Sequence, residues 1–396
     1  MTIPITKAIF DESDFSIIQE PLRSGWVVQG KFVKQFEDLF SAMTRSPHSI
    51  ATSSCTTALH IAVAALGLKP GDEVLVPSFT WIATPNCVEY MGAKPVFVDV
   101  DLRTFNIDVD QIQRHITPRT KGIIPVHLFG LAADMTPIME IAERHGLWVV
   151  EDAACAFDSW YKGAHLGTFG QFGAFSFHPR KAITTGEGGM LTTASDKLAA
   201  LARSLRDHGA SRSDLDRHQQ RHSFLLAEYH HVGYNFRLTD IQGALGVAQM
   251  NKSRRIMKER REAAARYDTL LADSSWLALP FRNPDYVHGF QSYVCLFQPE
   301  RPSLENCERL TDQRNSIMAS LEQRGIVTRQ GTHAPPHLDY YAKKYSISPE
   351  DYPNAYLAER LSITLPLYAG MTVGESEQVV TGLAEEFQRH YQNVSV

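Results

Sequence analysis

The chain is predicted to be an α/β protein with a central, largely parallel sheet and a second, smaller domain after it. Three observations predict this. From Ile50 to about Thr193, short apolar runs alternate with helix-length segments, the pattern of strands fed by crossover helices. At 396 residues the chain exceeds the size at which one core usually stops growing. A long charged helical stretch then separates this region from a C-terminal part with its own strand and helix signals.

The runs Glu73 to Pro77, Lys94 to Val100, Gly122 to His127, Leu147 to Asp152 and Gly173 to Phe177 are rich in Val, Ile and Phe and bounded by Gly, Pro or Asp, so they read as buried strands. Between them, Thr57 to Leu68 and Pro137 to His145 carry apolar residues at helical spacing, with Gly67 and Gly146 where helices would stop. Leu201 to Asn235 is crowded with Arg, His, Asp, Ser and Gln, contains Gly209 and Gly233, and reads as a long functional loop. Thr239 and Asp240 suit the cap of a long helix running through Lys252 to Arg266. The division expected is therefore residues 1–269 for an N-terminal segment and large domain and 270–396 for a small α+β domain. Its signals are an alternating strand at Gln291 to Phe297, an amphipathic helix at Leu310 to Arg324, a Pro/His-rich loop at Thr332 to Leu338, and a last helix from Val373 to about Tyr391.

A formal net charge of −5 and a pI near 6.3 provide no global basic field, which argues against nucleic-acid or acidic-membrane binding. The five cysteines (Cys55, Cys87, Cys155, Cys295, Cys307) are odd in number, spread out and without a CxxC spacing, so neither a disulfide framework nor a structural zinc site is expected. The acidic start MTIPITKAIFDESDF does not suit a signal peptide, and no apolar run is long enough to span a membrane. A soluble protein of the reducing cytoplasm is the expectation.

Four segments carry residues suited to chemistry. In FSFHPRKAITTGEGGM, Phe175 to Met190, an apolar strand runs into Lys181 and then Gly186, Gly188 and Gly189, which permit close backbone approach or positive φ; a glycine-rich hairpin with a surface lysine is the alternative. In SSCTTALHIAVAALGL, Ser53 to Leu68, the free N–H groups of a helix start and the Thr56 and Thr57 hydroxyls offer a phosphate cradle, with simple capping as the alternative. In WVVEDAACAF, Glu151 and Asp152 end an apolar strand and need a cationic or N–H partner, whether an arginine or a protonated pyridine nitrogen. In PSFTWIATPN, Phe79 and Trp81 follow a strand, where an aromatic face stacks on a flat ring or fills the core. A phosphate cradle, a stacking ring, a strand-end acid and a glycine-flanked lysine are the parts of a pyridoxal-phosphate site.

With these segments the chain resembles the DegT/DnrJ/EryC1/StrS aminotransferases, a fold-type-I pyridoxal-phosphate group that aminates sugars. FSFHPRKAITTGEGG is the most specific match; SSCTTALHIA, VPSFTWIATPN, GAKPVFVDVD, PVHLFG, EDAA, LRDHG, GYNFRLTDIQGALG and SITLPLYAG follow the family's order over nearly the whole chain. The resemblance implies a mainly parallel seven-stranded sheet. It also implies that Lys181 forms the Schiff base with the cofactor and that Asp152 pairs with the pyridine nitrogen. Thr56, Thr57 and Ser176 are implied as phosphate ligands, and Trp81 as the ring against the cofactor. Asn235 resembles an asparagine that reaches the cofactor phosphate of a neighbouring subunit, implying a homodimer with shared sites. Cys155 departs from the pattern, since relatives usually carry Gln or His there, near the ring hydroxyl; Cys55 stands where many carry glycine.

The reaction so implied is a ping-pong transfer, with pyridoxamine phosphate holding the amine between its halves. L-Glutamate is the expected donor, with glutamine the alternative of cyclitol-type members. The acceptor expected is a nucleotide-linked 4-keto-6-deoxyhexose, with a C3 keto-sugar or a cyclitol ketone as alternatives. Arg237, His333 and His337 are candidates to meet it. A cofactor-binding regulator without turnover is the reading from another class, and an intact Lys181 speaks against it. A metal site at His222, His230 and His231 lacks any supporting spacing, so no metal is expected.

Overall fold

Strands rich in Val, Ile and Phe that are buried along their whole length require cover on both faces of a sheet. The computed structural model describes residues 2–211 and 227–391. Its strands are β1 (His48–Thr52), β2 (Glu73–Pro77), β3 (Lys94–Val98), β4 (Thr120–Ile123), β5 (Trp148–Asp152), the short β6 (Trp160–Tyr161) and β7 (Ala164–His165), β8 (Phe172–Ser176) and β9 (Gly189–Thr193). Seven of these form one sheet in the order β1-β9-β8-β5-β4-β2-β3. The run from β8 through β5, β4 and β2 to β3 is parallel, and β9 is antiparallel to both its neighbours. The expected strands at 73–77, 94–100, 122–127, 147–152 and 173–177 are all present, with ends shifted by a few residues.

Helices cover both faces as crossover connections demand. Cys55–Ala65, Ala83–Glu89 and Asp196–Arg206 lie over one side, while Lys31–Thr44, Met135–His145 and the 31-residue helix Asp240–Leu270 lie over the other. Gly67 and Gly146 have φ of +74° and +63°, so each ends its helix with a left-handed residue. Thr239 caps the long helix through a reciprocal box with Gln242. Asp240 then accepts the N–H groups of Phe32 and Val33 at 2.8 and 2.9 Å, so one carboxylate caps a second helix far away in the chain.

One expectation is corrected. The segment read as a loop from Leu201 begins inside the helix Asp196–Arg206, capped by Ser195. Its apolar stripe of Ala199, Ala202 and Leu205 is real, but Arg203 and Arg206 disguise it. Arg206 is itself buried, bonding Glu37 at 2.8 Å and the Ala51 carbonyl at 2.7 Å.

Beyond the long helix, β10 (Leu277–Ala278), β12 (Tyr293–Phe297) and β13 (Ser362–Leu365) form a three-stranded antiparallel sheet, while β11 (Tyr286–Val287) pairs with β6. Helices Cys307–Gln323, Pro353–Leu361 and Val373–His390 pack on the three-stranded sheet. The N-terminal segment joins this part: Ile3 N–H donates to the Gly325 carbonyl at 2.8 Å, and Leu367 N–H to the Ile5 carbonyl at 3.0 Å. Among the described residues, no helix is long and apolar enough to cross a membrane.

Candidate active site

In an open parallel sheet, ligands bind beyond the carboxyl ends of the strands. Asp152 ends β5 and Ser176 ends the adjacent β8, and Lys181 follows on the turn after β8. Lys181 Nζ donates to Cys155 Sγ at 3.2 Å. No other hydrogen-bond partner of this amine is seen among the described residues. Burial pushes the ammonium towards neutrality, but Cys155, Cys55 and Asp152 outweigh it and hold the amine above its ordinary value. The turn is fixed from outside by Gln291, whose Nε2 donates to the Arg180 carbonyl at 3.0 Å.

The two acids at the end of β5 have separate fates. Glu151 accepts from His127 Nε2 at 3.0 Å and from the N–H groups of Gly167, Phe169 and Gly170, so its buried charge is fully met inside the fold. Asp152 is buried, and among the described residues its carboxylate meets two donors, Thr84 Oγ1 at 2.7 Å and Ala154 N at 3.1 Å. Burial raises its carboxyl above the usual range, and Thr84, Ala154 and the Lys181 charge pull it back in part. A bare face of this carboxylate suits one further cationic or N–H partner.

The helix start at Cys55 combines both sequence readings. Ser54 and Thr57 cap each other in a reciprocal box. The Thr56 hydroxyl and the N–H groups of Cys55 and Thr56 have no hydrogen-bond partner among the described residues, as a phosphate cradle requires. Gly189 brings β9 against this turn: a Cβ there would sit 2.3 Å from the Ser54 carbonyl carbon and oxygen. Ser176 pairs with Gly189 across the β8–β9 ladder, so the strand end and the helix start are neighbours. Gly186 takes φ of +82° in the same turn.

Phe79 and Trp81 divide their roles. Phe79 is fully buried against Phe105, whereas Trp81 is 58% exposed and its ring lies 5.7 Å from that of His333. His333 also meets Glu359 at 3.2 Å. His337 is not beside it: its ring packs on Tyr352 and Tyr356, its nitrogens are buried with no well-formed hydrogen bond among the described residues, and burial, opposed in part by the Ser348 backbone, pushes its pKa down to about 4. Arg237 is paired with Asp207, and Asn235 is exposed on a stretch bridged to Asp207. His222 lies outside the described residues, and His230 and His231 are exposed. Sequence reasoning missed Thr84, although it stands one helical turn from Thr80 inside PSFTWIATPN, the one signal that would have marked it.

Comparison with known proteins agrees with this architecture. The family model described as the DegT/DnrJ/EryC1/StrS aminotransferase family matches residues 9–384. The spore coat polysaccharide biosynthesis protein SpsC of Bacillus subtilis is 34% identical over 384 residues, 97% of this chain and 96% of that protein. Among solved structures, a putative sugar aminotransferase of Streptococcus pneumoniae, Spr1654 in its PMP-form, superposes with a TM-score of 0.89 at 28% identity, covering 98% of this chain and 99% of that one. PseC of Helicobacter pylori, an aminotransferase involved in pseudoaminic acid biosynthesis, gives 0.89 at 25% identity, covering 98% and 100%. By the match along its length and by its fold, this chain belongs to the DegT/DnrJ/EryC1/StrS aminotransferase family and is a fold-type-I aminotransferase.

Proposed function

We propose that this enzyme uses pyridoxal phosphate to move an amino group from L-glutamate to a nucleotide-linked 4-keto-6-deoxyhexose. The observation that carries the cofactor reading is the Lys181 amine, held by a thiol 3.2 Å away beside the half-satisfied carboxylate of Asp152. The residues present fit the group. Thr56, the N–H groups at the start of the helix Cys55–Ala65 and Ser176 would hold its phosphate, Asp152 its ring nitrogen, and Trp81 its ring face. When bound, pyridoxal phosphate supplies the aldehyde that captures the donor amine and the ring that draws electrons from the bond being broken.

The chain's own residues do the rest. Lys181 Nζ takes the proton from the donor α-carbon and, in the second half-reaction, delivers one to the former carbonyl carbon of the acceptor. Asp152 keeps a proton on the ring nitrogen. Asn235, exposed on its own subunit, would reach the site of a second copy in a homodimer. His333 beside Trp81 is the better placed of the two histidines to meet the acceptor. Arg237 would have to leave Asp207 to do so. A cytoplasmic setting suits a glutamate donor and the free cysteines.

An absorption spectrum with pyridoxal phosphate, before and after L-glutamate and without any acceptor, tests the reading. A visible band that glutamate bleaches is the expected result. No band would remove Lys181 from its role, and a band untouched by any amino donor would remove the donor assignment.

A further inference from the structure

Thr80 and Thr84 form a short buried chain of hydroxyl groups that ends on Asp152. Their exposures are 1% and 0%, and Thr84 Oγ1 lies 2.7 Å from Asp152 Oδ2 and 3.1 Å from Thr80 Oγ1. An ionised carboxylate only accepts, so the Thr84 proton points at Asp152 and the Thr84 oxygen receives the proton of Thr80. The direction of both bonds is thereby fixed. Thr80 is tied to the C-terminal part of the chain, because its N–H donates to the His333 carbonyl at 3.0 Å.

We infer that Thr84 is a positioning residue for Asp152, and that Thr80 orients Thr84, so that the two hydroxyls keep the carboxylate ionised and fixed in direction. This rests on the reading of Asp152 as the partner of the ring nitrogen. The groups facing Asp152 are the Thr84 hydroxyl, the Ala154 N–H, the Lys181 amine, His127 and the thiols of Cys55 and Cys87. Among the described residues, only Thr84 and the Ala154 N–H hydrogen-bond its carboxylate. Burial favours the protonated acid, which holds a pyridinium proton poorly. A hydrogen bond to a buried charge opposes that, and removing one shifts proton affinity by roughly tenfold or more. The second hydroxyl, acting through the first, contributes a smaller share.

The test uses the full chain with carbon-13 in its aspartate carboxyls, the Asp152 resonance being identified by its loss in Asp152→Asn. Thr84→Val, close in shape but without the donor, should weaken the ionisation of Asp152 about tenfold. Thr84→Ser should restore it to within about threefold, and Thr80→Val should fall between. In parallel, protein loaded with nitrogen-15 pyridoxal phosphate reports ring-nitrogen protonation by chemical shift. If Asp152→Asn leaves that shift unmoved, the ring-partner reading fails whatever Thr84 does. If Asp152→Asn moves it while Thr84→Val changes neither the carboxyl midpoint nor the ring nitrogen, the positioning role is overturned. Should Thr84→Val not fold, Thr80→Val decides: a native midpoint there overturns the chain of hydroxyls.

Discussion

Replacing Gly189 by alanine probes the phosphate cradle without removing any group that would contact the cofactor. The new Cβ would lie 2.3 Å from the Ser54 carbonyl carbon and oxygen and 2.6 Å from the Cys55 nitrogen, where ordinary contact begins near 3.4 Å. β9 and the helix start must therefore separate by about 1 Å, and both sides are backbone that cannot swing away. Overpacking of this kind costs about 1–3 kcal/mol and should lower Tm by a few degrees. The local effect is larger. The N–H groups of Cys55 and Thr56 move with Ser54, and a charge-assisted hydrogen bond to phosphate is worth about 1.5–3 kcal/mol. Losing one should weaken pyridoxal phosphate binding roughly 10- to 150-fold. Spectroscopic titration of the cofactor and thermal unfolding would be run side by side. Gly122→Ala is the control, since its Cβ would meet the Trp148 ring at 2.1 Å, at the other end of β5 from Asp152. It should lose stability and keep cofactor affinity. A Gly189→Ala protein that is less stable yet binds the cofactor as tightly as the native chain would refute the assignment of the cradle.

Asp152→Asn should still bind the cofactor but slow proton transfer by several orders of magnitude in a single-turnover reaction with glutamate; native rates would assign the ring nitrogen to another residue. Mixing an Asn235→Ala chain with a Lys181→Ala chain should restore part of the activity that each lacks, because one of the two sites in the mixed dimer is whole. Proven mixed dimers without recovery would exclude sharing through Asn235. Part of the acid stability should follow His165, which burial holds at about 4 against an ordinary 6.5. Its ring stays neutral in the fold and takes a proton only when unfolded. The stability it contributes is therefore present above pH 6.5 and is lost as pH falls towards 4, by up to about 3 kcal/mol. Thermal melts from pH 7 to 4 should show that slope, and His165→Gln should reduce it by the share of His165, leaving the shares of the buried His337 and His288.

Much of the fold was legible because burial writes itself into composition. β2 and β5 are short runs of Val with acids or proline at their ends, and the Thr239 cap precedes a helix of ordinary helix formers. β9 was not legible as a strand, since GMLTT opens on a glycine whose purpose is the approach to Ser54, a contact made across the sequence. The helix Asp196–Arg206 was partly hidden because Arg206 looks like a surface residue until Glu37 is brought to it. In the site, Lys181 and Asp152 stood out by their local setting. Thr84 did not, because its meaning depends on Asp152, 68 residues away. His333 and His337 looked equivalent in the sequence, and only the packing of Tyr352 and Tyr356 separates them.

The tie between the first residues and the last third of the chain bears on how the protein is made. Ile3 and Ile5 find their backbone partners only at residues 325–327 and 367. At roughly 5–20 residues per second, a ribosome takes about 20–70 s to travel that far. Throughout that interval the backbone groups of Ile3 and Ile5 lack these partners. The Lys31–Thr44 helix likewise waits for Asp240 to cap it. The contacts of Ile3 and Ile5 can therefore close only after residue 367 has been made, so this part of the fold forms later than the central sheet that precedes it in the chain.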